Sequence, residues 1–112
     1  MKNINNISSL SDLLKNLKSL ATPIFINLGS RIGNESFLID QSIARIQESY
    51  GRELVYQKLE NTPSQIIKQE LKTTKNPVLL LVKKGEIKAI LSGMIAQHQL
   101  EEALDNLNFN SH

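Results

Sequence analysis

Residues 77–86 read Pro-Val-Leu-Leu-Leu-Val-Lys-Lys-Gly-Glu and contain the clearest strand and turn pattern of the chain. Its apolar part, residues 78–82, is hydrophobic on both faces of a strand, which is expected of a central strand covered by helices. The segment Lys83–Glu86 contains a glycine and predicts a tight turn. Ile87–Leu91 then predicts the returning strand of a hairpin, which Gly93 ends.

Helical and strand patterns alternate upstream of this hairpin. Leucines at steps of three and four predict a first helix, with Ser9 or Ser11 as its N-cap and Thr22-Pro23 as its end; they are Leu10, Leu13, Leu14, Leu17 and Leu20. The next predicted elements are a buried strand over Pro23–Leu28, a loop over Gly29–Glu35 and a helix over Glu35–Tyr50. The inner face of this helix consists of Ile39, Ile43, Ile46 and Tyr50. A strand over Glu53–Leu59, a helix capped by Thr62 with Pro63 at its first position, and a last helix over Ala96–Leu107 complete the set.

This order predicts an α/β protein. Strand–helix–strand units followed by a hairpin indicate a central mixed sheet of four or five strands with helices on both faces. The fifth strand would be a short edge strand containing Ile4 and Ile7. We expect one domain over residues 1–112, with a core from about 7 to 107 and a loose tail over 108–112.

The composition excludes several classes of function. The chain has 112 residues and no cysteine, which excludes disulfides, thiolate zinc sites, iron–sulfur clusters and thiol chemistry. A formal net charge of +2 and an aromatic share of 4% argue against nucleic-acid binding. The longest apolar run, residues 77–82, is far shorter than a membrane span. The N-terminal sequence has no secretory pattern, so we expect a cytoplasmic protein. We separately expect a monomer or a weak homodimer.

The second half of the chain resembles the thioredoxin family. Residues 77–86 are similar to that family's segment of proline, apolar strand, lysine, glycine and acid, and Gly93 matches a glycine after its hairpin. Leu100, Leu104 and Leu107 are similar to its final helix, and residues 50–59 resemble the end of its active-site helix and the following strand. The resemblance spans about residues 7–107 and implies a thioredoxin fold.

An ungapped register carries the resemblance into the first half. It matches Ile32 to the family's active-site tryptophan and Pro77 to its cis-proline, which implies a cis Asn76–Pro77 bond. The sequence Gly33-Asn34-Glu35-Ser36 then replaces the Cys-Gly-Pro-Cys motif, so Gly33, Asn34, Glu35 and Ser36 form a degenerate active-site motif. Asn27 replaces the buried aspartate that handles protons in the redox enzymes of the family.

These departures remove the family's redox chemistry. Dithiol–disulfide exchange needs a thiolate and a second sulfur, and Ser36 supplies neither. A serine is nucleophilic only beside a positioned base, and both histidines, His98 and His112, lie in the last helix and tail. We therefore expect no catalytic residue and no cofactor. We also expect no metal site, because His98 with Glu101 and Glu102 offers too few ligands. Asn27 has two interpretations, a hydrogen-bonded core amide or a relic of proton transfer.

The remaining candidate is a peptide-binding groove implied by the resemblance. By position it would be lined by Arg31, Ile32, Gly33, Asn76, Pro77, Gly93 and Met94. Backbone groups beside Pro77 could pair with an extended peptide without any cysteine. The expected function is therefore a redox-inactive module that binds a protein or peptide, such as an assembly factor or chaperone-like adaptor. The alternatives are a vestigial groove, an enzyme using Ser36 or bound glutathione, and a structural subunit that self-associates.

The charged residues and the aromatic residues form two further features of the sequence. The densest charge feature is a set of lysines opposed by acids of the last helix; its members are Lys68, Lys72, Lys75, Lys83, Lys84 and Lys88 against Glu101, Glu102 and Asp105. It is either a dipolar surface that orients a partner or a solubilising face. The aromatic residues Phe25, Phe37 and Tyr56 are expected in the core, since each lies in a predicted strand or helix.

Overall fold

A computed structural model describes residues 9–28, 35–50, 54–59, 61–72, 78–93 and 95–109 of the chain. Four helices and four strands occur in these residues. In sequence order they are α1 (Leu10–Leu17), β1 (Ile24–Asn27), α2 (Glu35–Tyr50), β2 (Val55–Lys58), α3 (Asn61–Glu70), β3 (Val78–Lys83), β4 (Glu86–Ser92) and α4 (Gln97–Phe109).

The four strands form one mixed sheet in the order β2-β1-β3-β4. Strands β1 and β2 are parallel, with Phe25 opposite Tyr56 and Asn27 opposite Lys58. Strand β3 is antiparallel to both β1 and β4. Every residue of β3 from Val78 to Val82 is buried, as the apolar run predicts. The predicted α/β architecture is confirmed at this level, while Ile4 and Ile7 lie outside the described residues.

Alternate residues of the central strands point to opposite sides of the sheet, and both sides are apolar. Helices therefore cover both faces. Along β1, Ile24 and Ile26 belong to one apolar cluster and Phe25 to the other. The first cluster takes Leu13 and Leu17 from α1 and Ile67 from α3. The second cluster takes its helical members from α2 and α4; they are Ile39, Ile43, Ile46, Leu100, Leu104 and Leu107. The inner face predicted for α2 is therefore confirmed at three positions, and the side chain of Tyr50 lies outside the described residues.

The helix ends agree with the sequence in part. Ser9 caps α1, and its hydroxyl oxygen accepts the Asp12 N–H at 3.0 Å. Leu20 lies beyond the end of α1, although it still packs against the first cluster. Helix α3 begins at Asn61, so the prediction of Thr62 as the cap is wrong by at least one residue. Proline is tolerated throughout a first turn, where backbone N–H groups have no acceptor within the helix, and so it marks a helix start only approximately.

The β3–β4 turn depends on two residues in the left-handed region. Lys84 has φ 53° and Gly85 has φ 77°, as a two-residue type I′ turn requires. A Cβ on Gly85 would lie 2.6 Å from the Lys18 Cγ and 2.8 Å from the Leu14 backbone oxygen. Glycine is therefore needed at 85 for its backbone conformation and also because α1 approaches the turn closely.

Candidate functional site

The candidate site lies at the edge of the sheet where the parallel strands β1 and β2 end. In open α/β sheets, ligands bind outside the carboxyl ends of the strands. Asn27 and Lys58 are the last residues of these two strands and lie opposite each other. Asn27 is the buried polar residue of the described core, with 1% of its surface exposed.

A series of hydrogen bonds connects Asn27 to the surface. Its Nδ2 donates to the Tyr56 hydroxyl at 2.8 Å. The Tyr56 hydroxyl donates to Asp40 Oδ1 at 2.5 Å, and Asp40 Oδ2 forms an ion pair with Lys58 Nζ at 2.6 Å. We call these four residues, Asn27, Tyr56, Asp40 and Lys58, the polar network.

The polar network fastens α2 to the strands beneath it. Asp40 lies in the second turn of α2, while Tyr56 and Lys58 lie two residues apart in β2 and so point to the same face of the sheet. Asp40 and Lys58 are partly exposed, at 32% and 41% of their side-chain surfaces, and the hydroxyl of Tyr56 links this pair to the buried amide. The start of α2 is thereby held in register with the end of β1.

The same bonds fix the protonation state of Tyr56. Burial raises its pKa well above the ordinary value, and the hydrogen bond to Asp40 raises the pKa further because an ionised phenol would face a carboxylate. The bond from Asn27 acts in the opposite direction and is the weaker influence. Tyr56 is therefore a neutral hydrogen-bond donor at physiological pH, and it cannot serve as a general base.

Replacing Tyr56 with phenylalanine is expected to lower the free energy of unfolding by about 2 kcal/mol, because a buried donor loses its acceptor and Asp40 loses a donor. The double variant Asn27→Leu/Tyr56→Phe removes both partners, and its loss should be clearly smaller than the sum of the two single losses. Urea unfolding of the four proteins measures this coupling. Additive losses would mean that the bond contributes nothing to stability.

The segments predicted to line the groove meet the described structure at this edge. The Leu28 N–H donates to the Val78 carbonyl oxygen at 2.8 Å, and Val78 lies opposite Ser92 in the sheet. Leu28, Val78 and Gly93 therefore lie near one another in the sheet. They adjoin, in sequence, the segments 29–34 and 73–77 and Met94. Gly93 itself adopts φ 77°, and among the described residues beyond its two chain neighbours no atom lies within 4 Å of where its Cβ would be.

Most of the predicted groove residues lie outside the described residues. They are Arg31, Ile32, Gly33, Asn76, Pro77 and Met94, so the cis bond before Pro77 stays a prediction. Asn34 of the degenerate motif also lies outside the described residues. Glu35 and Ser36 are the first two residues of α2. His98, Glu101 and Glu102 lie on exposed positions of α4, and no group of three metal-ligating residues occurs in the part of the chain that the structure describes.

Two large apolar side chains are exposed beside this edge. Phe37 and Leu38, in the first turn of α2, have 59% and 58% of their surfaces exposed. The prediction that Phe37 belongs to the core is wrong. Phe37 precedes the buried Ile39 by two residues, which is about 200° around the helix, so it lies on the opposite face. We call Phe37 and Leu38 the apolar pair.

Sequence reasoning did not find the apolar pair, Asp40 or Lys58. The available signal for Phe37 and Leu38 was the phase of Ile39, Ile43 and Ile46, which leaves both residues off the inner face. For Lys58 the signal was its spacing of two residues from Tyr56 along the strand. The approach of Asp40 to these two residues depends on how α2 crosses the sheet, which no local pattern encodes.

Comparisons with known proteins leave the family open. No protein-family model matches the chain, and no curated protein matches it. A solved structure described as the structure of a malarial protein is similar to it, with a TM-score of 0.63 and 13% identity over 76% of this chain and 96% of that chain. This likeness shows a shared fold alone. Within the described residues, no helix has the length and apolar character needed to span a membrane.

Proposed function

We propose that this chain is a thioredoxin-like domain without redox activity that binds a protein or peptide at the carboxyl edge of its sheet. The proposal includes a cytoplasmic location and a role as an assembly factor or chaperone-like adaptor. The proposed fold is supported by the mixed sheet, which has one parallel and two antiparallel strand pairs and two helices on each face. The proposed lack of redox activity is supported by the sequence, which contains no cysteine for dithiol exchange.

The observation that carries the proposal is the apolar pair. Single exposed hydrophobic residues are ordinary, but two consecutive large ones expose apolar surface to water on neighbouring sides of the same helical turn. Phe37 and Leu38 follow Ser36 directly, at the end of the degenerate motif, and the polar network holds the helix that carries them. Burying this pair against a partner would contribute about 25 cal/mol of favourable binding free energy for each Å² of apolar surface removed from water.

Panning a random peptide library against the whole chain tests the proposal. We expect apolar peptides whose affinity falls at least tenfold in the variant Phe37→Ser/Leu38→Ser, since two anchoring side chains are lost. Ile90→Ser is the matched control, because Ile90 is a similarly large apolar side chain with 51% exposure on β4. Equal affinity of the two variants for the selected peptides, or the failure of any peptide to enrich, would overturn the proposal.

A second candidate function is self-association through the edge strand β4. Strand β4 lies at the end of the sheet order and carries the exposed Ile90, so a second copy could pair along it. Light scattering across a range of protein concentrations distinguishes this candidate. It requires a dimer that Ile90→Ser weakens and that Phe37→Ser/Leu38→Ser leaves unchanged.

A further inference from the structure

A pocket of about 280 Å³ lies between the β3–β4 hairpin and the last turns of α4. It is at the opposite end of the sheet from the polar network. Strand β3 runs antiparallel to β1, so Asn27 is opposite Leu79, while the far end of β3 continues past Ile24 to Lys83. The pocket is therefore separate from the proposed peptide-binding edge.

The lining of this pocket combines positive charge with apolar surface. The hairpin contributes three lysines, Lys83, Lys84 and Lys88, and one acid, Glu86. Glu86 is held by Lys88 in an ion pair at 3.0 Å, which lowers the pKa of its carboxyl group. Helix α4 contributes Ala103, Leu107 and the amide of Asn106. A ligand with an anionic head and a short apolar stem complements this lining.

Lys84 is the most informative of these residues. It adopts φ 53° at the first central position of the turn, where asparagine, aspartate and glycine are the favoured residues. Among the described residues the structure shows no ion pair for its ammonium group, and it lies at the pocket. Lysine is therefore kept at a turn position where asparagine, aspartate or glycine would be less strained.

We propose that this pocket binds a carboxylate of a partner protein together with the apolar side chain next to it. A pocket of about 280 Å³ is just below the usual range for small-molecule sites, about 300–1,000 Å³, so it suits a group the size of one or two residues. A carboxylate has two sources in a protein, an acidic side chain and the C-terminal carboxyl group. Lysine ammonium groups attract both as point charges, without the fixed fork that arginine would provide.

Three peptides test this binding, which is followed through the backbone amide chemical shifts of the whole chain. The first is Ac-Ala-Leu-Glu-Leu-Ala-NH2, the second replaces its glutamate with glutamine, and the third is the glutamine peptide with a free C-terminal carboxylate. We expect saturable shifts at residues 84–88 and 103–107 with the first or third peptide, and at least fivefold weaker binding of the second. The first and third peptides distinguish the two sources of the carboxylate.

The deciding variant is Lys84→Gly, which removes the charge and also relieves the backbone. We expect binding to weaken at least fivefold while the urea midpoint stays level or rises. Lys72→Gly is the matched control, since Lys72 also has a positive φ, 55°, and lies outside the pocket. The proposal is overturned if neither carboxylate peptide shifts the pocket residues, if the glutamine peptide binds equally well, or if the two glycine variants bind alike.

Discussion

Replacing Gly85 with alanine is expected to lower the free energy of unfolding by about 3 kcal/mol, the largest loss that we expect from adding one methyl group. Part of the loss arises because φ 77° is disfavoured for any residue with a Cβ. The rest arises because the new Cβ would lie 2.8 Å from the Leu14 backbone oxygen, which cannot rotate away. Either the turn or α1 must shift, and α1 contributes Leu13 and Leu17 to the core.

Gly93→Ala is the control for the backbone part of this loss. Gly93 has the same φ of 77°, but no described residue other than its chain neighbours lies within 4 Å of the position that a Cβ would occupy. We therefore expect a loss of about 1 kcal/mol, the cost of the left-handed conformation alone. Urea unfolding of both variants separates the two contributions. Equal losses would show that α1 does not confine the turn.

Restoring an acid at position 27 is expected to have the second large effect. Asn27→Asp would place a carboxylate at a position that is 1% exposed and linked through Tyr56 to Asp40. Burial and a neighbouring carboxylate both favour the protonated form, so the pKa of the new group should lie above its unfolded value. We expect the variant to lose about 3 kcal/mol of unfolding free energy at pH 7 relative to the natural sequence.

The stability deficit of Asn27→Asp should depend on pH. A group whose pKa is raised on folding disfavours the folded state above that pKa, and the penalty disappears as the pH falls through the raised value toward the unfolded value near about 4. The deficit of Asn27→Asp should therefore shrink between about pH 7 and about pH 4. The double variant Asn27→Asp/Asp40→Asn keeps one carboxylate in the polar network and should recover more than half of the loss. A deficit that is the same at both pH values would show that folding does not raise the pKa of the new acid.

The helices and strands could be predicted from the sequence because their signals are local. Ser9 caps α1 through an atom of its own side chain, and the continuous apolar run at 78–82 requires cover on both faces wherever the strand lies. The periodicity of Ile39, Ile43 and Ile46 defines the inner face of α2 without knowledge of its neighbours. The boundary at α3 was less accurate because Thr62 and Pro63 allow more than one start within a first turn.

The candidate site was harder to predict. Position 27 was identified through a resemblance, and its hydrogen-bond partner in space, Tyr56, is 29 residues away in sequence. Asp40 and Lys58 have no sequence feature that pairs them, since the bond depends on the crossing of α2 over the parallel strands. The exposure of Phe37 does not follow from its being an aromatic residue in a helix, and it becomes predictable only when its phase is compared with that of Ile39.

The order of the elements, their buried faces and the lack of cysteine can be derived from the amino-acid sequence, because they follow from periodicity and composition within short windows. Which polar groups meet depends on the folded arrangement of the elements. The polar network joins two strands and a helix, and the lysine pocket joins a hairpin to the end of α4. Such contacts depend on distances between segments that are remote in the sequence, and residue spacing carries no information about those distances.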